Sequence, residues 1–250
     1  MEVLKVQNLK KIFVKANKKV TVIDGVTFSL NAGECLGIVG LSGCGKSTTA
    51  RIVAKLLKAD DGKIFLCGED VTNATDLKKF YRNVQMIFQT PEESFNPRKT
   101  LGWSIAEPLR NYGEKNIDEK VFELLAEVGL PKNYSERYPH EVSGGECQRA
   151  AIARAIALSP KILICDEATS ALDVTIQSQI VALIKNLCRK KNISCLFITH
   201  DLILLKKIAD RAVVMHAGKI VEEGTPAEIL NNPKNNFSRE LVNAGFDENF

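Results

Sequence analysis

The sequence predicts an α/β fold in which a parallel sheet is covered by helices, with an antiparallel β subdomain at the start and an inserted helical subdomain. Three observations predict it. The apolar runs "ECLGIVG", "KILICDE" and "ISCLFITH" alternate with stretches of helical spacing, as strands covered on both faces do. The first thirty or so residues are instead short alternating runs, the mark of half-exposed antiparallel strands. Between Thr90 and Pro160 the apolar spacing is mainly helical and β-branched runs are rare.

Taken in order, "VLKVQNL", "KKIFV" and "VTVIDGVTFSL" read as antiparallel strands, and "ECLGIVG" as a buried strand ending in Gly40. "KSTTARIVAKLL" has helical spacing and stops at the turn "KADDGK". "GKIFLCGEDV" reads as a hairpin and "NVQMIFQ" as a buried strand closing at Gln89. After the helical stretch come "KILICDE", the helix "VTIQSQIVALIKNLCRK", the strand "ISCLFITH", a terminal hairpin in "ADRAVVMHAGKIVEEG" and a short helical tail. The expected organisation is a single domain over 1–250: 1–89 and 161–218 form the core with its β subdomain, 90–160 the helical subdomain and 219–250 the tail.

With 45% hydrophobic and 26% charged residues in 250, composition excludes fibres and disorder and little else. The net charge is +4, and the densest basic run is Lys10, Lys11, Lys15, Lys18 and Lys19. Only Phe13 is interleaved with these cations, so a solvated surface is favoured over a nucleic-acid patch or an anionic lipid contact. The seven cysteines include no CxxC pair and several lie in apolar runs, which reads as small buried hydrophobes in a reducing compartment. No run approaches the roughly 18 apolar residues that cross a bilayer, and the start lacks a cleavable apolar core. A cytosolic protein is expected, held by another chain if it works at a membrane.

"GLSGCGKS" fits G-x-x-x-x-G-K-[ST] at Gly40, Gly45, Lys46 and Ser47, between a predicted strand and a predicted helix. Glycines let backbone N–H groups close around phosphate oxygens, Lys46 reaches the β and γ phosphates, and Ser47 ligates Mg2+. "ILICDE" supplies Asp166 for the metal shell and Glu167 to polarise the attacking water; the plainer alternative is that Glu167 caps the next helix. His200 and Gln89 end two further buried strands, where an imidazole steadies the water and an amide contacts Mg2+ or the water. His140 and His216 have no such setting and read as surface residues. "VSGGECQRAAIARAIAL" opens a helix with a second anion-type turn, and the economical explanation is two chains packed head to tail, each sealing the other's ATP.

These motifs together resemble the ATP-binding cassette (ABC) ATPases over nearly the whole chain. In family order they are the P-loop "GLSGCGKST", the Q-loop Gln89, the signature "VSGGE", the acidic strand "ILICDE", the D-loop "SALD" from Ser170 to Asp173, and the switch His200. The resemblance implies a P-loop NTPase fold, ATP hydrolysis with Mg2+, and nucleotide contacts from Gly40, Ser42, Gly43, Cys44, Gly45, Lys46, Ser47, Thr48, Ser143, Gly144, Gly145 and Asp173. It implies catalytic roles for Glu167, His200 and Gln89, metal contacts from Ser47, Gln89 and Asp166, and an aromatic on adenine, for which Phe13 is available. The usual signature is LSGGQ, so Val142 and Glu146 are departures. A carboxylate at Glu146 could weaken the opposite ATP's site by repulsion, but one solvated charge should be tolerated and activity is expected.

"MIFQTPEESFNPRKTLGWSIAEPL" looks like the oligopeptide, dipeptide and nickel importer branch, and the abbreviated tail tilts the expectation toward nickel or metal chelates. The implied partners are a second ATPase subunit, identical or sibling, two membrane-spanning permease subunits and, indirectly, an extracytoplasmic substrate-binding protein, with no nucleic acid. The implied location is the cytoplasmic face of the cell membrane. Phe95 and Trp103 are candidate apolar contacts for a permease helix, with the alternative that both are core weighing equally. A soluble cassette protein acting on ribosomes or DNA is the alternative function; a small-molecule phosphotransferase would lack the Ser-Gly-Gly turn.

Overall fold

A computed structural model of the chain describes residues 1–15, 18–170 and 172–247. The elements run β1 (Glu2–Lys15), β2 (Lys18–Asn31), β3 (Cys35–Val39), α1 (Lys46–Val53), β4 (Asp61–Leu66), β5 (Glu69–Asp70) and α2 (Leu77–Asn83). Then come β6 (Val84–Ile87), α3 (Leu101–Asn111), α4 (Ile117–Glu127), α5 (Gly144–Ile156), β7 (Ile162–Asp166) and α6 (Val174–Lys191). The chain closes with β8 (Ser194–Thr199), α7 (Leu202–Ile208), β9 (Arg211–His216), β10 (Lys219–Gly224), α8 (Pro226–Asn231) and α9 (Asn236–Asp247). They form two compact units, one from Met1–Phe80 with the residues from Ser194 onward, the other Tyr81–Ile193.

The first unit holds an antiparallel sheet ordered β2-β1-β4-β5 and a stretch ordered β10-β9-β3-β8. β3 lies parallel to both its neighbours, with Val39 opposite Thr199 on one side and Val214 on the other. Every residue of β3 and β8 is buried, which explains their unbroken apolar runs. The "terminal hairpin" is a true antiparallel pair of β9 and β10, but β9 also pairs with β3 and so belongs to the parallel layer. Arg211 at the start of β9 grips Glu34, ahead of β3, through Nε–Oε1 at 2.7 Å and donates to the Ser29 carbonyl at 2.6 Å. The tail is packed: Leu241 and Val242 of α9 join Val39, Leu202, Leu205 and Val214 in one apolar cluster.

In the second unit β6 and β7 pair in parallel, from Val84 opposite Ile162 to Ile87 opposite Cys165. β6 therefore stops short of Gln89, which lies in the following bend. α3, α4 and α5 bury Leu101, Ile105 and Leu109, Val121 and Leu125, and Ile152 and Ile156. Thr100 starts α3 by accepting the Trp103 N–H on its hydroxyl at 3.2 Å. The short helices α2 and α7 were absent from the sequence-based expectation. Six of the cysteines are buried and Cys67 is half-buried.

Candidate functional site

In the first unit the candidate residues gather at the carboxyl ends of β3 and β8. Val39 and Thr199 are register partners, so the glycine loop beginning at Gly40 and the segment beginning at His200 leave the same sheet edge side by side. A Cβ on Gly40 would lie 2.2 Å from the Met215 carbonyl oxygen, so only glycine lets the loop leave against β9. Gly45 at the start of α1 has φ 108°, in the left-handed region that favours glycine. The Gly218 N–H donates to the Cys44 carbonyl at 3.0 Å, tying the loop to the β9–β10 turn. Lys46 is 4% exposed, and its Nζ donates to the carbonyls of Gly40 at 2.7 Å and Leu41 at 3.0 Å. The ammonium thus spans the mouth of its own loop.

Around it Ser42 and Gly43 are exposed, Cys44 and Gly45 buried, and Ser47 and Thr48 half-buried. His200 is exposed. Its backbone is fixed on its C-terminal side: the Asp201 N–H donates to Thr199 Oγ1 at 3.0 Å, and Asp201 Oδ1 accepts from Ile203 N at 2.7 Å and Leu204 N at 3.0 Å, starting α7. Phe13 sits opposite Val20 in the β1–β2 ribbon, 38% exposed, with Lys11 Nζ 5.4 Å from its ring centroid. An exposed ring on a strand is open to stack on a planar ligand.

In the second unit β7 delivers Asp166, 4% exposed, then Glu167, half-buried. Glu167 has φ 47°, a left-handed conformation uncommon for any residue but glycine. Its carbonyl accepts from Ser170 N and Oγ, both at 3.1 Å. The plainer role of helix cap falls to Asp173, whose Oδ1 accepts from Ile176 N at 3.0 Å at the start of α6. Asp173 is exposed; the D-loop's Ala171 lies outside the described residues. Gln89 is exposed. A hydroxyl at Ser47 and a buried carboxylate at Asp166 are hard oxygen donors, the kind Mg2+ takes.

The turn into α5 is built as a capping box. Ser143 Oγ accepts from Glu146 N at 3.4 Å, and Glu146 Oε2 accepts from Ser143 N at 2.8 Å and Ser143 Oγ at 2.9 Å. A Cβ on Gly145 would lie 2.9 Å from Ile176 Cγ2, so α5 approaches α6 across a glycine.

A family model described as ABC transporter matches residues 23–170. The chain belongs to the ABC transporter family. It is 47% identical over 241 residues to the oligopeptide transport ATP-binding protein OppF of Salmonella typhimurium, covering 94% of this chain and 72% of the relative. OppF of Bacillus subtilis is 44% identical over 250 residues, 97% of this chain and 82% of that protein. The glutathione import ATP-binding protein GsiA of Salmonella typhi is 42% identical over 238 residues, 93% of this chain and 38% of that protein. A solved structure of the ATP-binding cassette MJ0796, dimeric in a post-hydrolysis state with ADP and Pi, superposes with TM-score 0.80 at 25% identity over 89% of this chain and 98% of that one. This ABC chain therefore has the P-loop NTPase fold and hydrolyses ATP with Mg2+.

The sequence did not single out three positions that support the ABC motifs. Tyr134 donates its hydroxyl to Glu146 Oε1 at 2.5 Å, and this bond, followed by those from Ser143, lowers the Glu146 pKa. Glu146 is therefore not the merely solvated charge that was expected. Arg154 donates to Ser94 O at 2.7 Å and Oγ at 2.9 Å while lying 4.5 Å from the Phe95 ring, which fixes the segment after the Q-loop. Phe95 itself is 5% exposed, so of its two readings the core one holds and the permease contact does not, whereas Trp103 is 38% exposed. Asp201 had a legible signal, a helix-capping residue ahead of an apolar run.

Proposed function

We propose that this chain is the ATP-hydrolysing subunit of a peptide importer, working at the cytoplasmic face of the cell membrane with a second cassette and two permease subunits. The observation that carries it is identity above 40% to named oligopeptide-transport ATPases over more than nine-tenths of this chain. Of the two cargo classes that the sequence leaves open, peptides are favoured over nickel or metal chelates, because the relatives bear peptide and glutathione names. An extracytoplasmic binding protein would deliver the cargo. A ribosome- or DNA-directed cassette has no observation in its favour.

In this reading the backbone of Gly40, Ser42, Gly43, Cys44 and Gly45 cradles the phosphates, and Lys46 exchanges its loop carbonyls for β and γ phosphate oxygens, with Thr48 beside them. Phe13 stacks on the base. Ser47, Asp166 and Gln89 are the oxygen ligands for Mg2+, which when bound neutralises phosphate charge. Glu167 takes the proton of a water whose oxygen attacks the γ phosphorus; the bond to the bridging oxygen breaks and ADP leaves. His200 orients that water against the γ phosphate. Ser143, Gly144 and Gly145 face the ATP of the second cassette, and Asp173 lies in the contact between cassettes.

Trp103, flanked by Lys99 at 4.9 Å and Arg110 at 4.7 Å from its ring, is the proposed contact for a permease helix. The test is uptake of a labelled dipeptide, a labelled longer peptide and labelled nickel in cells with and without the gene. Loss of peptide uptake is the expected result. Loss of nickel alone would overturn the cargo, and unimpaired uptake of all three would remove transport of these classes.

A further inference from the structure

The turn into α5 offers backbone N–H groups and one serine hydroxyl, yet the chain's own carboxylate already uses part of that offer. Ser143 has a single O–H proton to give, and it points to Glu146 Oε2 at 2.9 Å, while Ser143 N donates to the same oxygen at 2.8 Å. The other carboxylate oxygen is tethered by Tyr134, whose hydroxyl donates at 2.5 Å. Tyr134 is itself in a well-anchored segment: Arg137 lies 4.3 Å from its ring, and the Arg137 carbonyl accepts from Leu101 N at 2.8 Å at the start of α3. A phosphate approaching this turn meets a fixed negative charge, and it must take the serine proton from that charge. By contrast, the first turn of α1 carries no acidic residue.

We propose that Glu146, anchored by Tyr134, is an affinity-setting brake on ATP at this signature turn, competing with the γ phosphate for the Ser143 hydroxyl and repelling it. The inference rests on the reading that Ser143 to Gly145 receive the ATP held by a second cassette. Glu146 acts through Ser143 and through its charge, so it is a positioning residue and not a catalytic one. Glutamine at the same place would still accept the Ser143 N–H through its amide oxygen, so Glu146→Gln keeps the capping box, removes the charge and turns the Tyr134 contact round, the amide NH2 donating to the phenol oxygen.

The experiment measures steady-state ATP turnover by the purified full-length chain against ATP concentration, at low and at high salt, for the parent, Glu146→Gln, Tyr134→Phe, their double variant and Ser143→Ala. Glu146→Gln is expected to lower KM by about three- to tenfold with a smaller change in kcat, and the difference from the parent should shrink at about 1 M salt, as screened repulsion does. Tyr134→Phe lets the carboxylate swing away, so it should lower KM less, and the double variant should match Glu146→Gln. A KM for Glu146→Gln equal to or above the parent's, or a KM ratio indifferent to salt, overturns the brake. Ser143→Ala separates the two levels: if it cripples turnover while Glu146→Gln leaves KM alone, the brake fails and the signature reading stands. If Ser143→Ala turns over ATP like the parent, the turn does not hold nucleotide and both fall.

Discussion

The turns that lead into α1 and α5 have the same outline, a glycine-bearing loop running into a helix N-terminus, but they are equipped with opposite charges. At α1 a buried lysine is held by the loop's own carbonyls, and the first turn carries no carboxylate. At α5 a glutamate sits on the serine N–H and hydroxyl, so the anion position is filled from within. A helix N-terminus is a general anion attractor. The comparison teaches that turns of one outline carry opposite charge according to what the chain itself places there.

The harshest way to break the comparison is Lys46→Ala. It removes the only cation that the glycine loop supplies from its own motif, and ATP turnover should fall more than about 100-fold. Near-normal hydrolysis would show that the loop is not the phosphate cradle. Glu167→Gln comes next and asks whether the two turns meet through ATP: turnover should drop by on the order of 100-fold or more while ATP still binds. Sedimentation with saturating ATP should then find a stable dimer, and a persistent monomer would argue against shared nucleotide.

A third test sharpens the contrast between the glycines. Gly45→Ala combines a left-handed φ of 108° with a Cβ 2.8 Å from the Val22 carbonyl oxygen, whereas Gly145→Ala meets only the Ile176 Cγ2 methyl at 2.9 Å. Urea midpoints should show a loss of about 1–3 kcal/mol for Gly145→Ala and a larger one for Gly45→Ala. The reverse order would mean that α5–α6 packing is the more demanding constraint. The smallest effect belongs to Phe13→Ala, which should weaken ATP binding by about fivefold through lost stacking, measured by titration calorimetry. Unchanged affinity would move the base contact to another aromatic.

The residues whose chemistry is local were legible in the sequence. Gly40, Gly45 and Lys46 stand out through the spacing of one short motif, although the Met215 and Val22 carbonyls that crowd the two glycines lie elsewhere in the chain, and the apolar runs of β3, β7 and β8 announce strands buried on both faces. α2 and α7 are seven residues each, too short for a 3.6-residue period to stand out from noise. Phe95 and Trp103 look alike in a sequence, and each has an arginine over its ring; tertiary burial, 5% against 38% exposed, separates them. The Tyr134–Glu146 bond joins residues twelve apart through a turn that no periodicity encodes. Glu167's φ is a backbone property that residue type argues against.

The tail cluster bears on how the protein is made. Val39, the residue just before the glycine loop, shares its apolar surroundings with Leu241 and Val242. On a ribosome the strand emerges well before its partner helix, so the loop's apolar support arrives only once α9 has been translated. Nascent chains that still lack α9 will therefore hold nucleotide poorly, and ATP will reward those that carry it.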